Sequence, residues 1–148
     1  MSHITAIEFQ ENWEIETLKA MCQLTGWQFN ENKKNYSCYH AWVGDTPPPP
    51  GFTAHEMKEQ IGKCSHEIKV PNADYSIGIV EKEGKIHLLY DYWQGGYGLQ
   101  KALGQSGGIL KQNYSIAKTL LECKKQRRRV RLTDSERVGW KQIEIEME

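Results

Sequence analysis

Two short stretches of the chain carry the same spacing of metal-ligating side chains. Cys38 and His40 are separated by one residue, and so are Cys64 and His66. Residues two positions apart in a β-strand share a face, so each pair could present a thiolate and an imidazole together. Two such pairs would supply the four ligands of a tetrahedral zinc site. Strand alternation also produces this spacing by chance, and cysteine is often simply buried, so zinc is an alternative hypothesis.

A carboxylate stands among aromatic residues just before a glycine-dense segment. Asp91 lies between Tyr90 and Tyr92 in a stretch with strand alternation, where aspartate is disfavoured. It could belong to a binding site, or it could accept hydrogen bonds from the amides of the glycine loop, and we favour the second role. The candidate ligand-binding residues are Asp91, Trp93, Gly95, Gly96, Tyr97 and Gly98.

The segment KKQRRRVR near the C-terminal end is strongly cationic. Its charged residues are Lys124, Lys125, Arg127, Arg128, Arg129 and Arg131. Such a run is a signal of phosphate contacts and hence of nucleic-acid binding. Strand alternation, however, predicts that the outward arginines lie opposite outward glutamates of the last strand, and lysines suit the end of a helix. Nucleic-acid binding is therefore an alternative hypothesis as well.

The sequence lacks the common catalytic motifs. There is no Gly-x-Ser-x-Gly and no His-Glu-x-x-His, and the glycines at 95–98 and 104–108 match neither the Walker nor the dinucleotide fingerprint. Catalysis is not expected. Acidic and basic residues number 19 each, so the formal net charge is zero, unlike that of a nucleic-acid packaging protein.

The composition also indicates a compartment. The chain has four cysteines and neither a secretory signal nor an apolar run of the roughly 18 residues that a membrane span needs. We therefore expect a cytoplasmic protein with reduced thiols and no membrane contact. Its partner would be an unknown small molecule or protein.

Hydrophobic periodicity predicts the elements that must position these residues. The predicted strands are 3–10, 27–29, 36–43, the hairpin 75–80 and 86–92 around Glu83-Gly84, and the hairpin 130–133 and 141–147. The predicted helices are one N-capped by Asn12 and ending at Gly26, one at 53–61 with a Thr53–Glu56 capping box, a short turn at 99–103, and a long one at 106–126.

These elements predict one α+β domain over residues 1–148. Few helices and mostly antiparallel strands favour a twisted sheet with the two main helices packed on one face. The four prolines Pro47–Pro50 favour a rigid surface loop over a polyproline recognition element.

Several stretches are similar to those of one family. They are Met1-Ser-His3-x-Thr5-x-Ile7, Tyr75-x-Ile77-Gly78, Asp91-x-Trp93, Gln112-x-Tyr114 with Ala117, and the last hairpin. In these the chain resembles the uncharacterised chloroplast reading-frame 35 family of plastids and cyanobacteria, which has distant phage relatives. Residues 30–70 depart from the plastid pattern, so the chain is more similar to a phage or bacterial member. The resemblance implies a fold and a compartment but no reaction. We therefore expect a small cytosolic binding or accessory protein without catalysis of its own.

Overall fold

The computed structural model describes residues 3–42, 44, 46–125, 129–134 and 141–146, the last two ranges as backbone only. The strands are β1 (Ile4–Ala6), β2 (Gln28–Asn30), β3 (His66–Lys69), β4 (Ile77–Lys82), β5 (Lys85–Asp91), β6 (Arg129–Asp134) and β7 (Lys141–Glu146). The α-helices are α1 (Ile15–Thr25), α2 (Ala54–Gln60), α3 (Leu99–Leu103) and α4 (Gly108–Lys125).

The first five strands form one antiparallel sheet in the spatial order β1-β5-β4-β3-β2. Its centre is the predicted β4–β5 hairpin. The turn residues Glu83 and Gly84 have φ angles of 53° and 75°, as a tight turn matching the strand twist requires. Strands β6 and β7 form a separate two-stranded sheet. The predicted α+β fold is confirmed.

The two main helices cover one face of this sheet. Helices α1 and α4 pack on each other and on the apolar side chains of the strands. Leu18 from α1 and Leu110 from α4 are fully buried there with Ile77 and Leu88. The hydroxyl of Tyr114, on α4, accepts a hydrogen bond from the Glu14 amide at 2.9 Å. The predicted placement of both helices on one face is therefore confirmed.

The opposite face is covered by α2 and by the loop before it. Tyr36, Cys38 and Met57 pack there against Leu89 of β5. The ring of Tyr36 occupies the space above Gly78 of β4, where an added Cβ would lie only 2.2 Å from the ring carbon Cδ1. Glycine at this position therefore allows the loop to approach the sheet.

One predicted strand is wrong. Residues 36–42 form an irregular loop, and the strand that completes the sheet is β3. The amides of this loop donate to distant acceptors instead of a ladder: Tyr36 N to the Gly62 carbonyl at 2.9 Å, and Ser37 N to Ser76 Oγ at 2.8 Å. Tertiary contacts thus override the local alternation.

The predicted helix ends are confirmed in part. Thr53 and Glu56 form the expected capping box of α2, and Gly26 ends α1 in a left-handed conformation with φ of 79°. The N-cap predicted at Asn12 is wrong, because α1 starts at Ile15 and Glu14 occupies the cap position without a side-chain bond. None of the helices in the described part of the chain is long and apolar enough to cross a lipid bilayer.

Candidate binding surface

Asp91, at the end of β5, has no exposed surface. Its Oδ1 accepts hydrogen bonds from the backbone amides of His3 and Trp93, each at 3.0 Å. Its Oδ2 accepts from the amide of Tyr39, also at 3.0 Å. Bonds from N–H groups to a carboxylate are roughly twice as strong as neutral ones. One carboxylate therefore joins three segments that are far apart in the sequence.

The structure corrects the donors predicted for this carboxylate. The sequence suggested the amides of Gly95, Gly96 and Gly98, but the amide of Gly95 donates to the Tyr92 carbonyl at 2.8 Å. The donors to Asp91 are the amides of His3, just before β1, of Tyr39 in the 36–42 loop, and of Trp93. This arrangement agrees with the predicted structural role of Asp91 as an acceptor of amide hydrogen bonds. It does not agree with an Asp91 side chain that points into an open cleft.

The glycine-dense segment after Trp93 folds into a left-handed turn. Its consecutive residues Gln94 to Gly98 have φ angles of 51°, 66°, 66°, 52° and 106°. A residue with a side chain is disfavoured in this region by about 1–2 kcal/mol, so Gln94 and Tyr97 are strained. At Gly98 an added Cβ would also lie 2.5 Å from the carbonyl oxygen of Asn72. We call residues 94–98 the left-handed turn.

The left-handed turn rests on the residues before β4. The amide of Asp74 donates to the Tyr97 carbonyl at 3.2 Å, and the amide of Tyr75 donates to the Gly96 carbonyl at 3.4 Å. The ring of Tyr75 meets that of Tyr97 edge-on, with centroids 5.0 Å apart. Two backbone bonds and a ring contact therefore fix the strained turn.

Tyr39 and Tyr97 are the exposed large hydrophobic residues among those whose side chains the structure describes, each with 44% of its surface accessible. Burial raises the pKa of Tyr75 beside them, and the acidic groups of Asp91, Tyr97, Cys38 and Tyr39 raise it further. We call Tyr39, Tyr75 and Tyr97 the tyrosine patch. Trp93, half-buried beside it, stacks on the ring of His3 at 5.0 Å.

A second buried carboxylate fixes the same loop. Glu67 of β3 accepts from Asn30 Nδ2 at 2.8 Å and from Ser76 Oγ at 2.6 Å. The Ser76 hydroxyl in turn accepts from the Ser37 amide. Burial alone would raise the pKa of Glu67, but the bonds from Ser76 and Asn30 and the charge of Lys33 outweigh it and lower that pKa. The network anchors the loop that presents Tyr39.

The four residues of the zinc hypothesis do not form one shell. Cys38 Sγ lies 3.8 Å from His40 Nδ1, whereas Cys64 Sγ donates to the Lys33 carbonyl and His66 Nδ1 accepts from the Asn32 amide. Within residues 3–42, 44 and 46–125, no three His, Cys, Asp or Glu side chains are placed to hold a metal ion. Burial raises the pKa of both thiols to about 12, so they are neutral at physiological pH.

The basic run continues from α4 into the last hairpin. Lys124 and Lys125 are exposed at the end of α4, while Arg127 and Arg128 lie outside the described residues. Backbone register pairs Arg129 with Glu146 and Arg131 with Glu144. The predicted pairing of arginines with glutamates across this hairpin is therefore confirmed.

The sequence did not indicate Tyr39, Tyr75 or Glu67 as site residues. Tyr39 meets Asp91 across 52 positions, and Asn30 meets Glu67 across 37. Hydrophobic periodicity reports only neighbours within a few turns, so it carries no signal for such contacts. The local sign for Glu67 is an acidic residue within a β-strand, where it is disfavoured, as at Asp91.

Comparison with known proteins adds nothing to this geometry: no protein-family model, curated protein or solved structure matches the chain.

Proposed function

We propose that this protein is a binding or accessory protein, without catalysis of its own, that contacts its partner through the tyrosine patch. The observation that carries the proposal is the position of Tyr39 and Tyr97. These two exposed residues lie on different segments of the chain. The buried carboxylate of Asp91 joins the two segments, because it accepts the amide of Tyr39 from one and the amide of Trp93, which precedes the left-handed turn, from the other. Exposed aromatic residues on neighbouring segments are typical of interaction surfaces.

Rigidity of both segments supports a binding role. A tyrosine brings a large contact area and loses little side-chain entropy when it is immobilised. The Asp91 bonds, the Glu67 network and the two bonds to the left-handed turn hold the backbone in place before any partner arrives. A surface ordered in advance binds more tightly, because less entropy is lost on association.

The proposal assigns Asp91 a positioning role and leaves the contacts to the aromatic rings. Asp91 is fully buried and its oxygens already accept three amides. The reactive groups nearby also favour a non-catalytic reading: Cys38 is a neutral buried thiol, and Ser76 is only 1% exposed. A cytoplasmic location and kinship with the reading-frame family are part of the proposal and rest on the sequence patterns alone.

A ligand screen on a matched set of variants tests this function. The wild-type chain and Tyr39→Ser/Tyr97→Ser would be titrated against a panel of peptides, oligonucleotides and metabolites. We expect at least one ligand whose binding the double variant loses. Lys58→Ser/Glu59→Ser, on the exposed side of α2, is the control and should keep that binding.

Thermal unfolding of each variant checks that it is still folded. Both tyrosines are about half exposed, so their removal should leave the stability nearly unchanged. If every ligand found binds the tyrosine variant as well as the wild type, the tyrosine patch is not the binding surface.

A further inference from the structure

The protein contains two examples of one interaction triad. Lys82 lies 4.7 Å from the centroid of the Phe52 ring and pairs with Glu56 at 2.7 Å. Lys19 lies 5.7 Å from the Phe29 ring and pairs with Glu31 at 2.9 Å. In each triad one ammonium group contacts both an aromatic ring and a carboxylate, each of which attracts a cation.

The tyrosine patch has exposed aromatic rings and an exposed carboxylate in a neighbouring position of the chain, but its segments supply no lysine or arginine. Exposed Asp74 adjoins Tyr75, and its amide bonds to the carbonyl of Tyr97. The segments that build the patch, 35–42, 71–78 and 91–98, contain Asp74 and Asp91 but no lysine or arginine. Among the described residues, neither carboxylate forms an ion pair, and the partners of Asp91 are neutral amides.

We infer that the tyrosine patch takes a cationic side chain, a guanidinium or an ammonium group, carried on an extended segment of a partner protein. The inference rests on the proposed function and names its partner class. The planar guanidinium group stacks on aromatic rings and binds carboxylates with two parallel bonds, so arginine fits better than lysine.

Space for the rest of such a segment lies next to the patch. A groove of about 530 Å³ begins at Asp74, is walled by residues 71–74, and extends past Lys69 to Gln28 and Gly26. A peptide with its cation over the tyrosines could place its neighbouring residues there. A second copy of this chain is the less favoured source, because the backbone register of the last hairpin places Arg129 and Arg131 opposite glutamates of the same chain.

Isothermal titration with matched peptides tests the inference. The probes are a short Gly-Ser peptide with an arginine pair, the same peptide with neutral citrulline, a proline-rich peptide and a short oligothymidylate. We expect the arginine peptide to bind and the citrulline peptide to bind at least roughly tenfold more weakly, which is about 1.4 kcal/mol. Asp74→Asn should weaken arginine binding roughly threefold, and Tyr39→Ser/Tyr97→Ser should abolish it.

The other outcomes separate the inference from the function it rests on. If the citrulline peptide binds as tightly as the arginine peptide, the inference of a cationic partner is wrong, but the tyrosine patch remains a binding surface. The same conclusion holds if only the proline-rich peptide or the oligothymidylate binds in a tyrosine-dependent way. The chain could instead associate with itself in a way that depends on the tyrosines. If Arg127→Ala/Arg128→Ala abolishes that association, a second copy of this chain supplies the cation, and the inference of a separate partner protein is wrong. If no ligand in either screen depends on the tyrosines, the inference and the proposed function fail together.

Discussion

Asp91 determines how three distant pieces of backbone meet. Its oxygens accept the amides of His3, Trp93 and Tyr39, and it is fully buried. An amide in its place would turn an NH₂ group toward N–H donors that already need acceptors. The carboxylate therefore contributes to folding and, through Tyr39, to the shape of the tyrosine patch.

Asp91→Asn should lower the free energy of unfolding by about 1–3 kcal/mol, the cost of leaving buried donors unsatisfied. Urea unfolding measures the change. Asp74→Asn, an exposed site in the neighbouring segment, should change stability by less than about 0.5 kcal/mol. Equal stabilities of the two variants would show that the three amide bonds contribute little.

At the residue scale the sequence predicted Asp91 as unusual but not its partners. A carboxylate between two tyrosines in a strand needs a donor, which is a local argument. Which amides supply the bond depends on β1 pairing with β5, where Ile4 lies opposite Asp91. That pairing is a property of the assembled sheet, so the nearest glycines were chosen wrongly.

The left-handed turn is the most strained element of the described chain. Gln94 and Tyr97 adopt left-handed φ angles of 51° and 52° that glycine would adopt freely. Strained backbone persists where the surrounding contacts fix it, and it is found at binding sites. Here those contacts are the two bonds from Asp74 and Tyr75.

Gln94→Gly should raise the free energy of unfolding by up to about 1.5 kcal/mol. It removes about 1–2 kcal/mol of left-handed strain and adds about 0.5–1 kcal/mol of glycine entropy. Gln100→Gly, inside α3, should instead destabilise by up to about 1 kcal/mol. A chemical denaturation series on both variants gives the comparison, and a loss of stability in Gln94→Gly would contradict the strain.

The last hairpin allows a test of charge pairing between strands. Arg129→Glu would place a glutamate in register with Glu146 and should destabilise the hairpin by about 0.2–1 kcal/mol. Arg129→Glu/Glu146→Arg should restore most of that loss. Hydrogen exchange of the β6 amides measures this local change in stability, because the hairpin can open without unfolding of the whole domain. Faster exchange that the double variant does not reverse would argue against pairing.

At the element scale, most of the fold could be predicted from local patterns. The β4–β5 hairpin, α1, α2, α4 and the last hairpin follow from alternation, turn residues and helical spacing. The failure lies in the strand predicted at 36–43, whose described residues 36–42 form a loop, while β3 is the strand that lies between β4 and β2. The loop amides found acceptors on Ser76 and Asp91, which no local pattern reveals.

For the whole molecule, acid should be destabilising. The pKa of Glu67 is lowered in the folded protein, so its contribution is full above the ordinary carboxyl value of 4.5 and is lost as pH falls through the folded value. Burial, and then the charges of Lys82 and Lys85, lower the pKa of His87 in the folded protein. Its protonation therefore also lowers the stability as pH falls, beginning nearer the ordinary histidine value of 6.5.

Unfolding free energy measured from pH 7 to pH 3 should therefore decrease, most steeply below about pH 4.5. Glu67→Gln should flatten that lower part of the curve while leaving the part between pH 7 and 5 unchanged. A wild-type curve that stays level down to pH 3, or one whose slope the variant leaves intact, would show that this network is not coupled to folding.

The bond between the His3 amide and Asp91 spans 88 positions, and among the strands of the described residues β1 pairs with β5 alone. On the ribosome, β1 must therefore stay unpaired for seconds until β5 is made, since chains grow at about 5–20 residues per second. The β4–β5 hairpin can close as soon as it emerges, whereas β1 docks only onto that finished edge. Assembly would then start at the β4–β5 hairpin, and β1, although translated earlier, would be among the last elements to pair.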